Sequence, residues 1–405
     1  MKHILATALL LATTWYAAPA AADTPLAYDS QAYAINDAGD IVGAVLIPGA
    51  GAPPSYAAKW DRNNNLTRLD APPGLRYPRA FAINAAGLVA GSAVSDGGVV
   101  GDRLLRWDQR GRVTAFASAA IGNLQVAGIS DAGVIAASAL IEESAASTAM
   151  RTDDRGRLAP LPVLPGGVPA YRGDTVSVAA DINRAGTIVG TSRVDDTDSH
   201  AVRWDSAGVH DLGTLPGDLD SSAAAINATG SIVGQSFGPR SERAVRWDPG
   251  GQITELGSLP SGTSSSAVDI NDYGVVTGSA TDNTGRVHAV RWDPAGRITD
   301  LGAATGPGSS RTWAVAINLA STVIGGQDSP RLFVALRWDS AGRQHDLPLV
   351  PDAEGAAAMA INSAGTVVGV MIFSAGGSRA VRWTVAGLTI LPLASQHQPH
   401  PTGTR

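Results

Sequence analysis

A basic residue stands immediately before a Trp, or before the residue that replaces it, eight times along the chain: Lys59, Arg106, Arg151, Arg203, Arg246, Arg291, Arg337 and Arg382. Gathered around an axis, these cations would hold an anion or an acidic polysaccharide. The competing reading is structural: each Arg packs its stem on a neighbour and pairs with an acid of the adjacent strand, where a planar fork suits a carboxylate. Asp211, Glu255, Asp300 and Asp346 recur where a hairpin would place that acid, and the structural reading is favoured. The Trp series divides the same way, between core packing and a row of sugar-stacking platforms. The burial preference of Trp favours packing.

Other candidates break the repeated pattern. The longest insertion carries LPVLPGGVPAYRGD, whose Tyr171, Arg172 and Asp174 offer an aromatic surface, a fixed cation and an acceptor. Insertions on one face of a repeat often mark a binding face. Trp313 lies outside the repeated Trp position, in a linker just before Ala314-Val315-Ala316-Ile317. These four residues are the candidate ligand-binding set. Gly234-Gln235-Ser236-Phe237-Gly238 matches the G-x-S-x-G nucleophile elbow, but that motif needs a strand-to-helix turn and no helix follows. Asp195, Asp196 and Asp198 cluster in one loop without the spacing of a calcium site. The seven His residues are scattered without zinc-ligand spacing. No catalytic set, metal site or cofactor is indicated.

These residues are positioned by a repeat. Aligned on an Ile-Asn pair, eight copies place the Asn at 36, 84, 183, 227, 271, 318 and 362, with Ser130 standing in for it in the third. The steps are 48, 46, 53, 44, 44, 47 and 44 residues, the range of propellers, solenoids and arrays. Each copy holds four short apolar runs, in the fourth copy Val178 to Ile182, Thr187 to Thr191, Ala201 to Trp204 and Val209 to Leu212. Runs this short, rich in Val and Ile and bounded by Gly, Asp and Asn, read as strands. Two connections are tight, Asn-x-x-Gly and Asp-x-x-Gly, in which the Asx side chain bonds backbone two residues on and Gly supplies a positive φ. In an up-and-down unit both fall at one end, leaving the long variable connections at the other. That loop face is where function would sit.

Four antiparallel strands per copy predict an all-β chain, a β-propeller of eight four-stranded blades. Seven is the alternative count, because the third copy also has Ala137 for Gly and Thr152 for Trp. The chain begins with a first-strand segment and ends with a fourth-strand segment, so the N-terminal strand is placed to complete the last blade. Absence of polar caps argues against an open solenoid.

The copies resemble the HAF repeat of bacterial extracellular repeat proteins, through HAVRW (His200 to Trp204), DLGTL (Asp211 to Leu215) and INATGSIVG (Ile226 to Gly234). Two departures are plain: the aromatic of the His-Ala-aromatic run is Val or Leu in most copies, and its His survives only at His200 and His288. The resemblance implies an extracellular repeat protein and no particular activity. The Gly-His pair that accompanies Trp-Asp in WD repeats is missing here.

Composition sets the outer bounds. Apolar content of 44% with 16% charged residues describes a globular chain. A net charge of −6 gives no basic footprint for nucleic acid. Residues 1–22, with Lys2 and His3, an apolar run from Ile4 to Ala18 and Ala20-Ala21-Ala22, read as a secretory signal peptide, followed by a repeat domain over 23–393 and a polar tail over 394–405. No run is apolar and long enough for a transmembrane segment, and a chain without Cys cannot use disulfides or a lipid-linked Cys anchor. The expectation is an exported bacterial protein, periplasmic or extracellular. Its expected role is a non-catalytic binding or surface-interaction module with a glycan or protein partner on the loop face. The alternatives are a carbohydrate-active enzyme, lyase or glycosidase, and a purely structural envelope protein.

Overall fold

The computed structural model describes residues 29–393, apart from 48–54, 96–101, 117–120, 142–145, 154–156, 167–174, 304–310 and 330–332 and the single residues 196, 240 and 375. The chain is an eight-bladed β-propeller, each blade an antiparallel sheet of four strands consecutive in sequence. The innermost strands, in order, are Asp29–Ile35, Leu75–Ile83, Ile121–Ile129, Ser177–Ile182, Asp220–Ile226, Ser265–Ile270, Thr312–Ile317 and Ala353–Ile361. Blade 4 has Ser177–Ile182, Ile188–Arg193, Ser199–Asp205 and Gly208–Asp211, within two residues of the sequence expectation. The expected strand exchange does not occur. The N-terminal strand pairs within its own blade, Asp29 opposite Leu46 and Ile35 opposite Ile41.

The turns follow their local chemistry. In blade 5 the Asn227 side-chain oxygen accepts from the backbone N–H groups of Thr229 and Ser231, at 3.1 and 2.9 Å, and Gly230 closes the turn at φ 88°. In blade 6 Asp293 does the same for Ala295 and Arg297, both at 2.9 Å, and pairs with the Arg297 side chain. Gly234 is required for another reason. A Cβ there would sit 1.9 Å from the Ser222 carbonyl oxygen of the adjacent strand, so only glycine admits the close approach. Its role in the repeat is backbone packing.

The core is not one cluster but eight, each spanning the seam between two neighbouring blades. The repeated Trp anchors each seam that has one. Trp247 is fully buried and donates its indole N–H to the Leu212 carbonyl of the preceding blade at 2.7 Å. Trp60, Trp107, Trp204, Trp292 and Trp383 do likewise. Burying about 150–250 Å² of Trp surface at about 25 cal/mol/Å² is worth ~4–6 kcal/mol of gross transfer energy per seam.

A second clip repeats across the seams. A Ser or Thr hydroxyl on an inner strand accepts from a third-strand N–H of the preceding blade: Ser177 from Ala149, Ser221 from Ala201, Ser265 from Ala244, Thr312 from Ala289 and, at the closing seam, Ser30 from Ala380.

Six of the eight basic residues before Trp make structural contacts, most by a different route from the one expected, Arg106 among them through the Gly133 carbonyl. Arg203, Arg246 and Arg382 donate to the carbonyls of Pro249, Pro294 and Arg62 in the next blade's tight turn, at 2.8–2.9 Å. Arg291 reaches Ser321, Asp339 and Ser340, and Lys59 pairs with Asp40 at 2.8 Å. The fourth-strand acids pair instead with the residue three before the Arg: Asp211 with His200, Glu255 with Arg243 and Asp300 with His288. The reason is register. Asp211 lies opposite Val202 and shares its face with His200, whereas Arg203 points to the other side.

Candidate functional site in the central channel

Inner strands present one edge to the propeller axis. The antiparallel ladder leaves alternate N–H groups on that edge without a partner in the second strand. The residue five before the repeat Asn and the residue three before it line the axis, and here the copies stop agreeing. The first position reads Gln31, Arg79, Gln125, Val178, Ser222, Ser266, Trp313 and Ala357 around the ring. The second reads Tyr33, Phe81, Ala127, Ala180, Ala224, Val268, Val315 and Met359. The aromatic residues and Met359 fall in consecutive blades 7, 8, 1 and 2. They wall an open cavity of roughly 910 Å³, counting the solvent space in its mouth, that runs from the channel into a niche between blades 7 and 8.

Trp313 is the best fixed of these groups. It lies inside the inner strand of blade 7 rather than in a linker, directly opposite Gly326. Every other blade carries a side chain at the Gly326 position, among them Ala44, Thr191, Gln235 and Val370. A Cβ on Gly326 would come within 2.8 Å of the indole ring, so its absence is what lets the ring lie against the sheet. Phe333 meets the indole edge-on, with ring centroids 5.6 Å apart and planes at 89°. The Arg311 guanidinium lies 5.5 Å from the ring centre and pairs with Asp328. Across the channel Tyr33 stacks on Phe81, with centroids 5.2 Å apart. The Tyr33 hydroxyl donates to the Gln31 side-chain oxygen at 2.7 Å. Burial pushes the phenol up to about 12, and the Arg79 charge offsets this only in part. Phe333 leads into its strand from the loop connection, so the niche belongs to the loop-face half of the channel.

Blades 4 and 6 each carry a half-buried carboxylate on the inner strand, outside the lining of that cavity. Asp181 accepts from Ile182 at 2.7 Å with one oxygen and from Ile226 of the next blade at 2.9 Å with the other. Asp269 repeats this with Ile270 and Ile317, both at 2.8 Å. Each carboxylate therefore satisfies two inner-edge N–H groups and ties two blades. Desolvation lifts Asp181 to about 6 and Asp269 to about 7, the latter helped by the charge of Asp181.

Of the four sequence candidates, Trp313 stands in this site, while Tyr171, Arg172 and Asp174 lie outside the described residues. Tyr33, Phe81, Phe333 and Met359 were missed. The signal was available in the columns of the repeat, as large residues in consecutive copies at one inward position. Ser236 of the G-x-S-x-G match is wholly buried, hydrogen-bonded to Asp218 at 2.6 Å and to the Leu215 N–H. It is a packing hydroxyl. Asp195 spends an oxygen on the N–H groups of Thr197 and Asp198, as a loop former does, and Asp196 is outside the described residues. Among the described residues no group of three or more His, Asp or Glu could hold a metal ion. No described helix is long and apolar enough to cross a membrane.

An eight-bladed propeller with an aromatic arc in its channel is the class that fold and site define. No protein-family model matches the chain, and no curated protein matches it in sequence. Solved structures do. The β-propeller domain of the Trilobed protease from Pyrococcus furiosus, described as having an open velcro topology, is similar at 13% identity and a TM-score of 0.50, over 81% of this chain and 98% of that one. A prolyl endopeptidase is similar at 10% identity and 0.56, over 79% of this chain and 50% of that one. An acylaminoacyl peptidase from Pyrococcus horikoshii is similar at 11% and 0.51, over 90% and 52%. The chain spans about half the length of those two peptidases and 57% of a puromycin hydrolase that it also resembles. At such identities the likeness is one of fold.

Proposed function

We propose that this chain is an exported, non-catalytic binding propeller that takes its ligand into the loop-face half of the central channel. One observation carries the reading. Residues common to the copies are consumed in turns and seams, and the copies diverge towards large aromatic groups where consecutive inner strands face one cavity. Concave, mainly apolar cavities with a few convergent polar groups are the usual form of a ligand site. The carbohydrate-active enzyme is the weaker reading, because Asp181 and Asp269, half-buried acids of the inner strands, lie outside the cavity lining and have both oxygens bound to backbone. A purely structural role leaves the aromatic arc without a purpose. Export, and membership of the HAF-repeat proteins, rest on the composition of residues 1–22 and on the repeat motifs.

The test is thermal unfolding of residues 23–405 with neutral and acidic oligosaccharides, peptides and small aromatic compounds. A ligand at about 100 times its Kd stabilises by ~2.7 kcal/mol, which raises Tm by several degrees. The expected result is a shift with one class that W313A abolishes. A flat panel, or a shift that W313A leaves intact, rejects the channel as the binding site.

A further inference from the structure

We infer that the ligand of the channel site is a small, uncharged aromatic compound whose ring stacks on Trp313 in the niche between blades 7 and 8. The inference rests on the binding reading above and names the chemical class. Three observations carry it. Trp313 is preorganised: Gly326 under the ring, Phe333 at its edge and the Arg311 guanidinium 5.5 Å from its centre fix the indole, and the part of the ring that lines the cavity is the platform. The described side chains lining the cavity are apolar except for the Trp313 indole N–H and the Tyr33 hydroxyl, the latter engaged with Gln31, and the other polar atoms of the wall are backbone. A pyranose would need several side-chain donors and acceptors around its hydroxyl rim, and the side chains of this wall are mostly apolar. Among the described residues no charged one lines the cavity itself: Arg79 acts on Tyr33 from outside that lining, Arg311 pairs with Asp328, and Asp181 and Asp269 accept from backbone N–H groups. Nothing there would repay the desolvation of an ionised ligand. A flat ring offered to Trp313, with Phe333 and Met359 beside it, meets offset and edge-on aromatic contacts and a polarizable thioether.

The test titrates residues 23–405 calorimetrically with 4-methylphenol and 2-naphthol. N-acetylphenylalanine amide and a tri-N-acetylchitooligosaccharide serve as comparison probes. The expected result is saturable binding of both phenols, tighter for the larger ring. Binding should weaken about tenfold or more in W313A and in G326V, which crowds the platform without removing it. If G326V fails to fold, F333A replaces it and should weaken 2-naphthol in the same direction. No binding of either phenol up to about 10 mM, or equal binding by W313A, overturns the inference. Oligosaccharide binding lost in W313A, with the phenols silent, also overturns it while leaving the channel-binding function standing. Binding of the phenylalanine amide at least tenfold tighter than of either phenol assigns the niche to a polypeptide side chain and overturns the small-molecule ligand.

Discussion

Asp181 and Asp269 are the residues whose chemistry is least like that of ordinary surface carboxylates. Each bridges two blades with hydrogen bonds that favour the ion, yet burial outweighs those bonds and holds the proton on until about pH 6 and about pH 7 respectively. The unfolded chain releases the same protons near pH 4. Between about pH 4 and pH 7 the folded state therefore binds more protons, and stability falls as pH rises through that window. Their contribution is fully present below the unfolded value and lost above the folded one. His200, raised chiefly by its hydrogen bond to Asp211, adds a term of the same sign at the upper edge. Depressed carboxylates such as Asp282, at about 2, act below the window and with the opposite sign. The double variant D181N/D269N mimics the protonated pair. Its urea midpoint should change much less than the parent's between pH 4 and pH 7.5, by an amount on the order of a few kcal/mol in unfolding free energy. Equal slopes in parent and variant would show that the pair ionises without cost to the fold.

At the scale of turns and strands, the repeat Asn acts twice. Its oxygen holds its own turn, as the sequence predicted, while its amide nitrogen donates to the backbone carbonyl at the same position of the next blade. Seven such links run around the ring: Asn36 to Asn84, Asn84 to Ser130, Asn183 to Asn227, Asn227 to Asn271, Asn271 to Asn318, Asn318 to Asn362, and Asn362 back to Asn36. Ser130, too short to reach Asn183, accounts for the gap and offers only its hydroxyl to the Val134 N–H. Replacing it to complete the circle, in S130N, should stabilise by about 0.5–1.5 kcal/mol. N227A, which leaves buried turn donors and the Asn271 carbonyl unpaired, should cost about 1–3 kcal/mol. Both are read from urea midpoints at constant m, and a neutral or destabilising S130N would deny the links a net value. The turn half of this behaviour was legible in sequence because an Asx turn is a contact over two to four residues. The link across 44 or more residues was not, since it needs the curvature of the ring. The same limit explains Arg203, whose carbonyl partner lies 46 residues away, and the aromatic arc, which joins Trp313 to Tyr33 only after the chain has closed. Local alternation set the strands, and their order around the axis created the site.

For the whole molecule the question is how eight blades stay closed without exchanging a strand between first and last. The closing seam has the same chemistry as the internal ones. Asn362 donates to the Asn36 carbonyl at 3.2 Å, Ser30 accepts from Ala380 at 2.9 Å, and Trp60 donates to the Pro392 carbonyl at 2.8 Å. Its apolar cluster joins Ile41, Val45 and Trp60 of blade 1 to Val368, Ala380 and Leu391 of blade 8, and Asp29 adds a clip to Ser378. If the seams are equivalent, the position of the chain ends should be thermodynamically nearly free, because loop closure costs little more for a long connection than for a short one. A circular permutant tests this. Its new ends fall in the connection between Glu255 and Ser265, and a linker of similar length joins 393 to 29. It should unfold in one cooperative transition, within about 1 kcal/mol of the parent. It should also keep the ligand response of Trp313, whose blade does not contain the new ends. A permutant that unfolds in two steps, or loses several kcal/mol, would mean that the 8–1 seam is held by something its neighbours lack. The aromatic arc crosses that seam, from Trp313 and Met359 to Tyr33 and Phe81. Closure and ligand binding are then the same contact seen from two sides, and ligand should stabilise the parent and the permutant by equal amounts.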